Sequence, residues 1–133
     1  MIGELIKEVL RELEKLGFRV TCGAKLRGAS GYEHVFEAVV EEPERGVVAV
    51  IKASERLGAE HVLPLLAHRI DLRVQEVVLA KYVESEAEQL LEAAGMKVLK
   101  INSATKASDV AKLICEVLKG AKGLTRTNYN LAR

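Results

Sequence analysis

The sequence predicts an α/β domain, a three-layer αβα sandwich with a central mixed sheet. Three observations lead there. Residues 2–16 carry apolar side chains at helical spacing and are followed by three strand-like runs joined by short turn-rich segments. From Pro64 onward, apolar runs of strand length alternate with helical stretches, which means parallel pairing through crossover connections. Nothing resembling a repeat, a low-complexity tract or an interdomain linker interrupts the order α-β-β-β-α-β-α-β-α.

Each element has its own warrant. Ile2, Leu5, Ile6, Val9, Leu13 and Leu16 form the apolar stripe of a first helix that Gly17 ends. Phe18 to Cys22 alternates as a strand, and Gly23 to Gly31, with three glycines and two basic residues, reads as a loop or hairpin turn. Val35 to Val40 is the second strand, and the polar turn 41–46 returns the chain as a third, Val47 to Ala53. Pro64 suits the first turn of a helix through Leu72, because that position needs no amide hydrogen. A buried strand, 76–81, precedes a helix that Ser85 to Glu88 would cap and Gly95 would end. Met96 to Ile101 is the last strand, and Ser108 is placed to cap a final helix through Lys119.

The 133 residues suffice for one domain with a core of its own, expected over residues 1–119, with a basic tail over 120–133. The balance of 49% hydrophobic and 29% charged residues is that of a soluble globular protein, and the apolar runs are too short to cross a membrane. The N-terminal segment alternates charge and hydrophobicity as a helix does rather than as a secretory signal. Cys22 and Cys115 lie far apart without metal-ligand spacing, so they read as buried thiols in a reducing compartment, and a cytoplasmic location is expected. Abundant Glu, Lys and Arg beside few Gln, Asn, Cys and Met is the composition of a thermophile's protein. After Glu116 come Lys119, Lys122, Arg126 and Arg133 and no acid, so the tail is either a solvated terminus or a phosphate contact on which Tyr129 could stack a base.

The chemistry-bearing residues concentrate between Gly28 and Lys52. Gly28-Ala29-Ser30-Gly31 precedes Phe36-Glu37, and Val50-Ile51-Lys52 follows on the next strand. This pattern resembles the PD-(D/E)xK, restriction-endonuclease-like superfamily, and within it the small archaeal resolvase-like and Mrr-like proteins. There a strand acid, commonly preceded by a Gly-rich loop, is followed on the next strand by acid-x-Lys. The resemblance covers roughly residues 1–102 in element order. Two positions depart from it: the first acid is Glu37 rather than Asp, and Val50 stands where the second acid belongs.

The resemblance implies a nuclease site in which Glu37 and Lys52 are catalytic and Mg²⁺ or Mn²⁺ is the cofactor. Phosphodiester hydrolysis of that kind needs hard oxygen ligands on the metal and a lysine against the developing charge. Strand alternation groups Glu37 with Val35 and Val39, and Lys52 with Val48 and Val50, so paired strands would bring both polar groups to one face. Glu12, beside the apolar stripe of the first helix, is the leading candidate for the missing ligand, with Glu8, Glu33 and His34 behind it. The alternative for Glu37 is an ion pair with Lys52, the remnant of a dead site.

Lys25, Arg27 and Ser30 in the glycine-rich segment, and Arg69 and Arg73 at a helix end, are the candidate nucleic-acid contacts. The segment Gly28 to Gly31 has no P-loop pattern and serves equally as a plain turn. His34, His61 and His68 share no metal-like spacing and read as partly buried or surface residues. Two functions follow: a metal-dependent nuclease on DNA or structured nucleic acid, and a decayed member of the same fold that binds nucleic acid or protein. A homodimer suits the first, because cutting two opposed strands asks for two sites about a twofold axis. A Rossmann-like ligand domain is disfavoured, since no Gly-rich turn leads from a strand into a helix.

Overall fold

The computed structural model describes residues 2–120 and 131–132. A five-stranded mixed sheet forms its middle layer, with strands β1 (Arg19–Cys22), β4 (Ala38–Glu42), β5 (Gly46–Leu57), β6 (Gln75–Val83) and β7 (Lys97–Lys100) side by side in that order. The first three are antiparallel, and β5, β6 and β7 run parallel. Helices α1 (Ile2–Lys15) and α4 (Ala107–Gly120) pack together on one face, while α2 (Val62–Leu72) and α3 (Ser85–Ala93) cover the other.

Alternation along the strands sorts the core. Ala38, Val40, Ala49, Ile51, Val77 and Leu79 meet Ile6, Val9, Leu13 and Ile114 of the α1/α4 layer. Val78 and Ala80 point the other way, to Leu65 of α2 and Leu91 of α3. The central strands are apolar on both faces because helices cover both. A bulge between Val40 and Glu41 leaves Val48 without a partner on β4, so the consecutive Val48 and Ala49 both face the α1/α4 layer while Val47 joins Val50 on the other side.

The meander is more elaborate than expected. Gly23 to Gly31 is not a loop throughout: β2 (Lys25–Arg27) pairs antiparallel with β3 (Glu33–Val35), and β8 (Leu131–Ala132) pairs with the other edge of β2. The expected strand 35–40 is thereby broken, with Phe36 and Glu37 at a corner between β3 and β4. Phe36 is the reason, since its fully buried ring joins Ala24, Leu26, Val39, Val50, Leu72 and Val74 in a third apolar cluster beneath the small sheet. One hydrophobic run thus serves two sheets.

Other boundaries move by a few residues. β5 continues to Leu57 because β6 pairs with it through Val83. A 3-10 turn, Ala59–His61, leads into α2, which begins at Val62 and not at Pro64. Glu84 rather than Ser85 is the N-cap of α3, its carboxylate being held by Ala59 N–H and Arg56, and α4 starts at Ala107, ahead of Ser108. Cys22 is exposed rather than buried and Cys115 half-buried, and both are free thiols. The basic tail expected around Lys122, Arg126 and Tyr129 lies outside the described residues. Among the described residues no helix is long and apolar enough to cross a membrane.

Candidate functional site

The corner after β3 brings Glu37 and Lys52 close in register, one step past the Ala38–Ile51 pair. Each is engaged there by backbone. Ala53 N–H donates to Glu37 Oε1, and Lys52 Nζ donates to the Val35 carbonyl at 3.2 Å. The Lys52 ammonium also stands 6.0 Å from the centre of the Phe36 ring, at the limit of a cation–π contact. Among the described residues no ion pair joins Glu37 to Lys52, so the structural pair offered as the alternative does not form. β4 ends at Ala38, which leaves Ala53 N–H beyond the ladder, and Glu37 satisfies it.

The residues do not fit a hard divalent cation at this corner. Val50, 0% exposed, packs with Phe36, Val39 and Leu72 where the second acid would stand. Glu12 rides on α1, against the opposite face of the sheet, and pairs with Lys15 at 2.9 Å. Glu33 is bound to Arg27, and Glu8 lies exposed on α1. Among the described residues, no group of three or more His, Cys, Asp or Glu is arranged to hold a metal ion.

A second constellation lies next to the first and was not legible as one. An open cleft of about 760 Å³ runs between the 29–34 segment and α2, lined by Ser30, Tyr32, His34, His68, Asp71 and Arg73 among others. Asp71, near the C-terminus of α2, organises it. One carboxylate oxygen accepts the Ser30 amide at 2.7 Å, and the other accepts the Ser30 hydroxyl at 2.8 Å and meets His34 Nε2 at 2.6 Å. The Asp71 carbonyl takes the Ala29 amide as well. These charge-assisted bonds hold the Asp71 carboxyl down to about 2, the His34 contact contributing most and the amide and hydroxyl of Ser30 next.

Gly28 is required by this docking: a Cβ there would lie 1.9 Å from Asp71 Oδ2. The glycine-rich segment is therefore a close approach of backbone to a helix-borne carboxylate. Its hydroxyl and amide at Ser30 face that carboxylate and not a phosphate.

Behind His34 stands His68, ring centres 4.7 Å apart and edge to face, and behind His68 stands Phe36 at 5.3 Å. His68 Nδ1 points toward Glu76 Oε1 at 3.6 Å, too long for a hydrogen bond, and both atoms are buried without a hydrogen bond in the protein. Glu76, 1% exposed, is level with Val50 on the neighbouring strand and belongs to the same face as Val78 and Ala80. A carboxylate thus lies one strand away from the position where sequence reasoning missed one. The available signal was an acid at the head of an otherwise apolar strand, Glu76-Val77-Val78-Leu79-Ala80.

The five candidate nucleic-acid contacts separate. Arg73 is exposed on the cleft, in the left-handed conformation at the helix end (φ 56°), a place that favours glycine. Lys25 and Arg27 project from β2, with Arg27 tied to Glu33 at 3.3 Å. Ser30 is committed to Asp71, and Arg69 turns inward to donate to the Ala94 and Val74 carbonyls. The basic stripe expected from Arg69 and Arg73 is therefore a single exposed cation.

Fold and site together describe an α/β domain with an acid–lysine corner engaged by backbone beside an imidazole-lined cleft. The chain belongs to the same family as an uncharacterized protein of Archaeoglobus fulgidus, with 39% identity over 107 residues, 80% of this chain and 83% of that one. No family model matches the chain. Among solved structures, EndoMS in apo form aligns with a TM-score of 0.44 and 17% identity over 77% of this chain and 47% of that one. An EndoMS–dsDNA complex aligns at 0.43 and 19%, over 79% and 44%. The chain spans about half the length of these solved chains.

Proposed function

We propose that this chain is a nucleic-acid-binding domain of the restriction-endonuclease-like type whose metal-hydrolysis corner has closed. The rim of the cleft carries the reading. Tyr32 and Ile70, 73% and 75% exposed, flank an open groove beside the Arg73 guanidinium, with Lys25 and Arg27 on the adjacent small sheet. Exposed apolar surface next to cations is the combination that stacks bases and neutralises phosphates. The sequence resemblance of Gly28 to Lys52 supports the same class, and the burial of Val50 with the engagement of Glu37 and Lys52 by backbone supports binding over metal-dependent cutting.

The test is fluorescence anisotropy with labelled single-stranded and duplex oligonucleotides over a range of salt. Binding is expected, weakening steeply as salt rises. Arg73→Ala should lower affinity and flatten the salt slope, and Tyr32→Ala should weaken single-strand binding by about 1–3 kcal/mol. Absence of binding at low salt would sink the proposal. Metal-dependent cleavage abolished by Lys52→Ala would restore the nuclease reading in its place.

A further inference from the structure

The cleft holds two histidines that the corner's chemistry does not use, and each has one nitrogen turned to a carboxylate. His34 presents Nε2 to Asp71, and His68 presents Nδ1 toward the buried Glu76. The hydrogen bond to Asp71 fixes the ring orientation of His34 and leaves its other nitrogen for a ligand, whereas the Glu76 carboxyl group stands 3.6 Å from His68 Nδ1, near that ring but beyond hydrogen bonding. The nitrogens left over are His34 Nδ1 and His68 Nε2, on rings that touch each other and line the same open cleft. The two carboxyl groups come from different elements, α2 and β6, so the hydrogen-bonded backing of His34 and the carboxyl group near His68 arise independently.

Two oriented imidazoles side by side can take a proton at one end of a reaction and return one at the other. At a phosphodiester, with no metal-ligand set among the described residues to make hydroxide, that chemistry runs most directly on a nucleophile already held in the substrate. RNA supplies one, the ribose 2′-hydroxyl, and DNA does not. We propose that this cleft is a metal-independent transesterification site for RNA, with His34 as general base and His68 as general acid. This rests on the reading of the domain as a nucleic-acid binder.

The step balances without a co-reactant. The 2′-hydroxyl proton passes to His34 Nδ1, the O2′–P bond forms, the P–O5′ bond breaks, and the proton on His68 Nε2 passes to the departing O5′. The products are a 2′,3′-cyclic phosphate and a 5′-hydroxyl end. Arg73 on the rim is placed to hold the phosphate, and Tyr32, its ring centre 5.9 Å from that of His34, to stack the base. The titratable and charged groups that face the pair are Asp71 and Glu76, each imidazole for the other, Tyr32 beside His34, and Arg73 on the cleft. Lys52 stands 6.0 Å from the centre of the Phe36 ring, which is in turn 5.3 Å from that of His68.

The experiment incubates the whole chain with an end-labelled DNA oligonucleotide carrying one ribonucleotide, with EDTA present. Cleavage is expected 3′ of the ribonucleotide alone, leaving a cyclic phosphate, with a bell-shaped dependence of rate on pH. His34→Gln and His68→Gln should each lower the rate about a hundredfold or more while leaving oligonucleotide affinity within a few-fold. The all-DNA oligonucleotide tests the 2′-hydroxyl without any variant, so a variant that fails to fold does not stall the test. Binding of the chimeric strand without cleavage in EDTA would overturn this inference and leave the binding reading intact. Cleavage of the all-DNA strand, or undiminished cleavage in folded His34→Gln, would also overturn it. Absence of binding as well as cleavage would remove both.

Discussion

At the β4–β5 corner the polar side chains end on backbone, Glu37 on an amide and Lys52 on a carbonyl, whereas in the cleft they end on one another and on open space. The two regions lie side by side, joined through Phe36, whose ring is near both the Lys52 ammonium and the His68 ring. The contrast teaches how the same residue types diverge in use. A carboxylate that satisfies a strand end acts as a structural cap, with one of its oxygens taken by a backbone amide. A carboxylate that orients an imidazole leaves that ring's second nitrogen available for chemistry.

Val50→Asp attacks the contrast most strongly, because it restores the acid of the sequence motif inside an apolar cluster. Burial of an unpaired carboxylate at a fully buried position should cost about 3 kcal/mol or more, read as a fall in the denaturant midpoint. A variant that folds with unchanged stability and binds Mn²⁺ by calorimetry would show that the corner is an open site after all.

Gly28→Ala probes the cleft in the same way. The added Cβ would meet the Asp71 carboxylate, which cannot withdraw without giving up Ser30 and His34. A loss of about 1–3 kcal/mol is expected, with faster hydrogen exchange at the Ser30 amide. Unchanged exchange there would mean that Asp71 does not hold the segment.

Glu37 separates cap from ligand at a smaller scale. Glu37→Ala should cost about 1 kcal/mol in thermal or chemical unfolding by orphaning Ala53 N–H, and Glu37→Gln should recover most of that because an amide oxygen still accepts. If Gln proved as destabilising as Ala, the negative charge rather than the hydrogen bond would be what the corner needs.

How much of this could be read beforehand follows from how each region is assembled. Helices α1 to α4 and all five strands of the main sheet were legible, because each is specified by local periodicity and bounded by residues with strong turn preferences, such as Gly17 and Gly95. The small sheet was not, since β2 and β3 are three residues each and owe their pairing to Leu26 and Phe36 finding the cluster around Leu72. The corner was legible for a similar reason: Glu37 and Lys52 sit on neighbouring segments whose register a hairpin fixes. The cleft was not, because Ser30 and His34 reach Asp71 across 41 and 37 residues, a distance no periodicity spans. Glu76 was passed over because it opens a strand that otherwise reads as core.

The smallest effect is a dependence on pH that is flat near neutrality, where the stabilisation is complete, and shows only in acid. Asp71 titrates at about 2 in the folded chain, below its ordinary 3.8, chiefly through His34 and then through Ser30. A carboxyl whose folded value is depressed contributes stability that is complete above the unfolded value and lost as pH falls through the folded one. The cleft should therefore weaken between about pH 4 and pH 2, with the unfolded chain taking up a proton that the folded chain resists. Equilibrium unfolding repeated across that window should show stability declining with acid in the wild type and a shallower decline in Asp71→Asn, which has no carboxyl to titrate. Equal slopes in the two proteins would mean that the Ser30–Asp71–His34 cluster does not persist in solution, and the contrast between a backbone-engaged corner and an organised cleft would lose its second half.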